Sequence, residues 1–223
     1  MHSVEGAVIA CAGLGSRLGM GLPKCMIEIG GRTILSRLVD SLRPRVPRIH
    51  VVVGYREELI IDYCARHHRD VVIVRNTDFR ETNTAHSLTL GSVGFSRKVL
   101  YLDGDLIIDD GSLGAFVNRA ADVDILVGTT RAKSSQAVFV TTRDTKDGHR
   151  EVTGFHRDPA TAHEWANLFA GPPSLLRHGS RYVYECIEPM LPAPSHDVEL
   201  FEVDTPEDLA EATSGVATFA SPA

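Results

Sequence analysis

The chain has 223 residues and a formal net charge of −6 at pH 7, from 23 Lys plus Arg against 29 Asp plus Glu; it lacks the basic surplus that a nucleic-acid-coating surface needs. With 43% hydrophobic and 23% charged residues it reads as an ordinary globular chain, neither disordered nor fibrous. No run approaches the roughly 18 apolar residues of a bilayer span, no basic segment precedes an unbroken apolar one as in a secretory leader, and Cys11, Cys25, Cys64 and Cys186 are too scattered for a disulfide framework or a zinc site, so a cytoplasmic protein with no nucleic-acid or membrane partner is expected.

Short apolar, β-branched runs alternate with helical patterns. Strands are predicted over 7–12, 49–53, 71–75, 99–102 and 125–128, and helices over 33–42, 57–66, from about Ser87, and over 112–121. Strands this short and this apolar suit a sheet covered on both faces, so the fold class is α/β: a single doubly wound, mostly parallel sheet with its ligand crevice beyond the carboxyl ends of the strands. The reading blurs over 129–195, where 137–141 and 152–155 look like strands joined by a polar turn over 143–150, a segment fit for a small lid or an extra sheet. An amphipathic stretch over 181–190 and a strand over 198–203 follow. Thr205 then caps a helix opened by Pro206, Glu207 and Asp208 and reaching about Ala212. The domain is expected to span 1–212, with 213–223 a flexible tail.

The most informative segment is Ala10-Cys11-Ala12-Gly13-Leu14-Gly15-Ser16-Arg17-Leu18-Gly19, followed by Pro23-Lys24. It leaves the first strand and enters the first helical region, but its glycine spacing is not the dinucleotide fingerprint, because Leu18 stands where the third glycine must allow close helix packing. No Gly-Lys-Ser/Thr occurs, so it is not a Walker loop either. What remains is a loop whose glycines let backbone N–H groups approach an anion, reinforced by Arg17 and Lys24. A triphosphate is the natural guest; a turn with two solvated cations is the plainer alternative for any one of these residues taken alone.

This loop resembles the signature of the nucleotidyltransferases that activate sugar phosphates and related phosphorylated alcohols, a family with a GT-A-like, Rossmann-like fold, in which A-A-G-x-G-[ST]-R is followed by P-K. Cys11 replaces one of the paired alanines, small for small. The resemblance continues in Val99-Leu100-Tyr101-Leu102-Asp103-Gly104-Asp105 and in Glu202-Val203-Asp204-Thr205-Pro206-Glu207-Asp208. It implies that Asp105 binds the catalytic Mg²⁺ and that Asp204 completes the metal site, with Arg17, Lys24, Asp105 and Asp204 as the catalytic set. Chemistry agrees, since Mg²⁺ is usually held by one or two carboxylates plus phosphate oxygens. Asp103 could face the ribose, and Glu202 could accept a hydrogen bond beside Asp204 or be a rim carboxylate.

Nucleotide contacts are expected from Ala10, Cys11, Ala12, Gly13, Gly15, Ser16, Arg17 and Lys24, and from Asn76, Thr82, Asn83, Ser87 and Asp103. The order Asn76, Thr82-Asn83, Ser87-Leu88 resembles the cytidylyltransferase branch acting on phosphocholine, phosphonates and inositol phosphate, which implies CTP. Acceptor recognition is expected within 129–181, from Arg131 and Lys133, which could equally be solvated, and from Trp165, which with Phe155, Phe169, Tyr182 and Tyr184 could cage a quaternary ammonium or simply pack. The reading is Mg²⁺-dependent cytidylyl transfer to a small phosphorylated alcohol or phosphonate, with a homodimer left open. A sugar-1-phosphate or molybdopterin-type transferase using another nucleotide, and a nucleotide-binding regulatory module without turnover, are the alternatives.

Overall fold

A computed structural model describes residues 4–15, 17–133, 137–176 and 182–219. Ser16, expected in the nucleotide loop, and residue 181, expected to open an amphipathic stretch, lie outside the described residues.

In chain order the elements are β1 (Gly6–Cys11), β2 (Glu28–Ile29), β3 (Arg32–Thr33), α1 (Ile34–Leu42), β4 (Ile49–Val53), α2 (Glu57–His67), β5 (Val72–Arg75), α3 (Thr84–Gly91), β6 (Val99–Asp103) and β7 (Leu106–Ile108). Then come α4 (Asp110–Asp122), β8 (Leu126–Arg131), β9 (Phe139–Asp144), β10 (Arg150–His156), β11 (His163–Gly171), α5 (Val183–Ile187), β12 (Ala193–Asp197), β13 (Leu200–Glu202) and α6 (Pro206–Gly215). Helices begin where a side chain can take up a free N–H: Thr33 accepts from Ser36 N, Asn83 from His86 N, Asp109 from Ser112 N and Thr205 from Asp208 N. The Asn83 cap explains why α3 starts three residues before the expected Ser87.

One nine-stranded sheet runs in the order β5-β4-β1-β6-β11-β8-β12-β10-β9. The β5-β4-β1-β6 block and the β8–β12 pair are parallel, whereas β11 is antiparallel to both β6 and β8, and β12-β10-β9 are antiparallel. The α/β class and the central sheet thus match expectation, while its second half is mixed and the 129–195 segment extends the main sheet through β9, β10, β11 and β12. β11 occupies the middle of the sheet although its sequence did not announce a strand: Asn167 takes a left-handed backbone (φ 50°) at a bulge between Trp165 and Phe169, which breaks the alternation. Pro194 hid β12 in the same way.

Alternation along the strands splits the core into two layers. Ala7, Ile9, Val51, Val53, Leu100 and Leu102 face a layer with α1 and α4, while Val8, Val52, Val99 and Tyr101 face one with Leu88 of α3 and Ile187 of α5. Past the expected boundary at 212, α6 runs to Gly215, and Phe219 stacks on Phe201 at 5.0 Å, an apolar contact that the Ser- and Ala-rich composition concealed. No helix among the described residues is long and apolar enough to cross a membrane.

Candidate active site

The carboxyl ends of β1 and β6 and the loop that leads from β5 into α3 open on one cleft of about 480 Å³. Two glycines shape it. Gly15 has φ +60°, and a Cβ there would sit 3.1 Å from Lys24 Cγ, so the loop lies directly against the lysine stem. At Gly104 a Cβ would lie 2.4 Å from Cys11 Sγ and 2.8 Å from the Ala10 carbonyl oxygen; Gly104 N instead donates to that oxygen at 2.9 Å, which brings the turn carrying Asp105 onto the end of β1.

The second carboxylate arrives through a separate two-stranded sheet. β13 pairs antiparallel with β7, Glu202 opposite Leu106, and Val203 N donates to Asp105 O at 3.0 Å. Residues far apart in the chain therefore leave this ribbon together. Lys24 Nζ donates to Asp105 Oδ2 at 2.8 Å and to Asp204 Oδ1 at 2.5 Å, and Arg17 pairs with the other oxygen of Asp204.

Charge is dense here. Burial alone would lower the Lys24 pKa, but Asp105 and Asp204 reverse the shift and hold it above the usual range. Burial likewise pushes Asp204 upward, yet the hydrogen bonds from Lys24 and Arg17 win and keep it below the usual carboxylate range. Burial, reinforced by Asp105 and opposed by Lys24, raises Glu202 to about 8, and Asp103 is raised well above its ordinary value by burial and then by Asp105 and Glu202. Asp204, held below its usual range, and two acids that favour the protonated form thus gather around one ammonium. Asp105 Oδ1 is buried with no hydrogen-bond partner. Hard oxygen donors from two strands, one of them unsatisfied, fit Mg²⁺, which takes few protein carboxylates and leaves positions for water and phosphate. Among the described residues no group of three His, Cys, Asp or Glu forms a closed metal cage.

Of the residues expected from sequence, Ala10, Cys11, Ala12, Gly13, Gly15, Arg17, Lys24, Thr82, Asn83, Ser87, Asp103, Asp105 and Asp204 line this cleft. Asn76 does not. It is 2% exposed, its Nδ2 donates to Thr82 Oγ1 and Ser87 Oγ, both at 3.0 Å, and its Oδ1 accepts from Asp78 N. Its amide is consumed in bracing two cleft residues.

Two further cavities, of about 140 and 650 Å³, continue from this cleft and share Val138, Arg157, Trp165 and Asn167. Asn167 Nδ2 donates to Glu202 Oε2 at 3.1 Å. Trp165 packs edge-on to Phe155 and Tyr184 at 5.8 and 6.0 Å, and Tyr182 stacks on Tyr184 at 5.9 Å; Phe169 instead stacks on Tyr101 in the core. The two cations expected to meet the acceptor part company. Arg131 ends β8 exposed and borders none of these cavities, whereas Lys133 lines the larger one, its ammonium taken up by the Leu200 carbonyl at 2.7 Å, over the Phe201 ring. Arg157 lines both cavities. Arg157, Asn167 and Arg80 were not legible as site residues, because nothing in their local sequence marks them; only the sheet order brings them to the cleft.

Comparison with known proteins agrees with this geometry. A solved CTP:phosphocholine cytidylyltransferase from Streptococcus pneumoniae superposes with a TM-score of 0.76 at 16% identity, over 96% of this chain and 100% of that one. A UDP-glucose pyrophosphorylase does so with 0.79 at 10% identity, over 96% and 99%; at such identities the likeness concerns the fold. The bifunctional protein GlmU of Methanococcus vannielii is 34% identical over 110 residues, 48% of this chain and 26% of that protein, so the match spans about a quarter of the relative's length. Residues 7–173 match the MobA-like NTP transferase domain, and the chain belongs to that family.

Proposed function

We propose that the protein transfers a nucleotidyl group, specifically a cytidylyl group from CTP, to a small phosphorylated alcohol or phosphonate, releasing pyrophosphate. The observation that carries this reading is the convergence of Asp105 and Asp204 on Lys24 Nζ beside the glycine loop. Asp105 and Asp204 would hold Mg²⁺, which when bound supplies charge neutralisation and alignment of phosphate oxygens. Backbone N–H groups of the loop after β1 would face the triphosphate. Arg17 and Lys24 would meet the charge that grows on the α-phosphate and the leaving pyrophosphate. The acceptor would enter past Arg157 and Trp165 and attack the α-phosphorus in line. Its oxygen is already anionic, so no strong general base is needed and positioning does most of the work.

CTP is supported by the Asn76, Thr82-Asn83, Ser87-Leu88 order and by the fold shared with the phosphocholine cytidylyltransferase. The equally close fold of UDP-glucose pyrophosphorylase favours a second reading, transfer to a sugar 1-phosphate. Pyrophosphate release across CTP, UTP, GTP and ATP, crossed with phosphocholine, inositol phosphate, 2-hydroxyethylphosphonate and a sugar 1-phosphate, separates the two. Lys24→Ala and Asp105→Ala are each expected to lower turnover about 10²- to 10³-fold. Wild-type turnover in either variant would refute these roles, and nucleotide binding without product under every combination would leave a non-catalytic module.

A further inference from the structure

The bracing of Asn76 leaves the base end of the cleft in want of a reader. The loop after β5 and the start of α3 form this end of the cleft. Around that end stand Phe79, Arg80, Thr82, Asn83 and Ser87. Ser87 Oγ and Thr82 Oγ1 already accept from Asn76, and Asn83 Oδ1 caps α3. Arg80 differs from all of these. Its guanidinium sits over the Phe79 ring at 5.3 Å from the centroid and makes no hydrogen bond or ion pair to another described residue. The ring beneath it is fixed: Gly54 has no room for a Cβ, which would lie 2.7 Å from Phe79 Cβ, and Tyr55 flanks the ring at 6.5 Å. The cleft therefore presents, at its base end, a planar fork of donors with no acceptor of its own, carried on a rigid aromatic support.

We propose that Arg80 is the specificity-determining residue for the nucleobase, donating in plane to a base edge that offers two adjacent acceptors. A guanidinium can only donate. Cytosine offers O2 and N3 side by side, and guanine offers O6 and N7. Uracil places an N3–H beside O2, and adenine places an amino group beside N1 or N7, so each sets a donor against a donor and leaves it unpaired. The arginine thus selects CTP over UTP and ATP, with GTP as the competitor it tolerates. This rests on the nucleotidyl-transfer reading and sharpens it.

The test is nucleotide affinity measured without acceptor, by titration calorimetry of the purified chain with CTP, UTP, GTP and ATP in Mg²⁺, beside Arg80→Ala and Arg80→Lys. The exposed position of Arg80 predicts unchanged melting for both variants. The wild type is expected to favour CTP over UTP. Arg80→Ala should weaken CTP roughly 10- to 100-fold while changing UTP little, and Arg80→Lys should fall between, since an ammonium cannot reproduce the fork. Equal losses for all four nucleotides would make Arg80 a phosphate contact and overturn the proposal, as would a wild type that favours UTP or ATP or does not discriminate. A preference for GTP that Arg80→Ala abolishes would uphold the base-reading role while refuting CTP. Because affinity requires no turnover, absence of pyrophosphate release would count against the enzymatic reading alone.

Discussion

At the scale of single residues, His68 shows how a constellation can mimic catalysis. Its Nε2 lies 2.7 Å from Ser36 Oγ and its Nδ1 4.0 Å from Asp40, the outline of a nucleophile, base and acid. Arg43 NH2, however, reaches Nδ1 at 3.1 Å, and an arginine only donates, so Nδ1 accepts and the ring proton sits on Nε2, pointing at Ser36. Ser36 is 7% exposed and also bonded to Tyr63; the group joins α1 to α2. Burial lowers the His68 pKa, Arg43 and His67 add to that, and Asp40 and Asp70 only partly oppose it. The unfolded ring takes up its proton near pH 6.5 and the folded one at lower pH, so stability held above about pH 6.5 is lost as pH falls through the folded value. One such proton contributes a slope of at most about 1.4 kcal/mol per pH unit. His68→Gln should flatten the fall in unfolding free energy between about pH 7 and 5 measured in urea; a slope equal to that of the wild type would discount His68 as its source.

At the scale of elements, the N-terminus of α6 follows directly on β13 and places the Asp204 carboxylate. Asp208 Oδ2 accepts from Thr205 N at 2.8 Å and from Asp204 N at 3.2 Å, while Thr205 Oγ1 accepts from Asp208 N. The cap that starts the helix therefore holds the backbone of Asp204. Asp208→Ala is expected to cost about 1 kcal/mol of stability and, beyond that, to lower pyrophosphate release well below the level of Glu207→Ala, which removes a first-turn acid without touching the cap. Matching activities in the two variants would show that α6 does not set Asp204. The same economy governs α3, where Asn83 starts the helix and Asn76 fixes Thr82 and Ser87 behind it.

At the scale of the whole molecule, β11 joins the parallel half of the sheet to the mixed half. Phe169 faces Tyr101 of β6 across that seam, rings 4.6 Å apart and stacked, and both are fully buried. Emptying this site removes a large apolar volume that the surrounding strands cannot close. Phe169→Ala should cost about 3–5 kcal/mol, read from chemical denaturation, with one cooperative transition if the two halves share a core. Two separated transitions would show that they fold apart.

How far the sequence reached follows from the kinds of signal it carries. The glycine loop, Asp105 and Asp204 were legible because each sits just past a strand whose apolar run is local, and the cap of α6 was visible as Thr205 before a helical pattern, whereas the Asp109 cap that starts α4 before the expected Ser112 was not read. Arg131 and Lys133 were chosen by charge alone, and Asn76 by its polarity; charge and polarity say nothing about which neighbour will consume a hydrogen bond. The left-handed Asn167 concealed the central strand, so Trp165 was read from sequence without Arg157 beside it. The chain by itself determined the glycine loop and its two carboxylates, since these depend on residue type and on position after a strand. Only the tertiary structure decided which polar groups remain open to a ligand, because hydrogen bonds formed between distant segments, such as Lys133 with Leu200 or Lys24 with Asp204, leave no trace in local sequence.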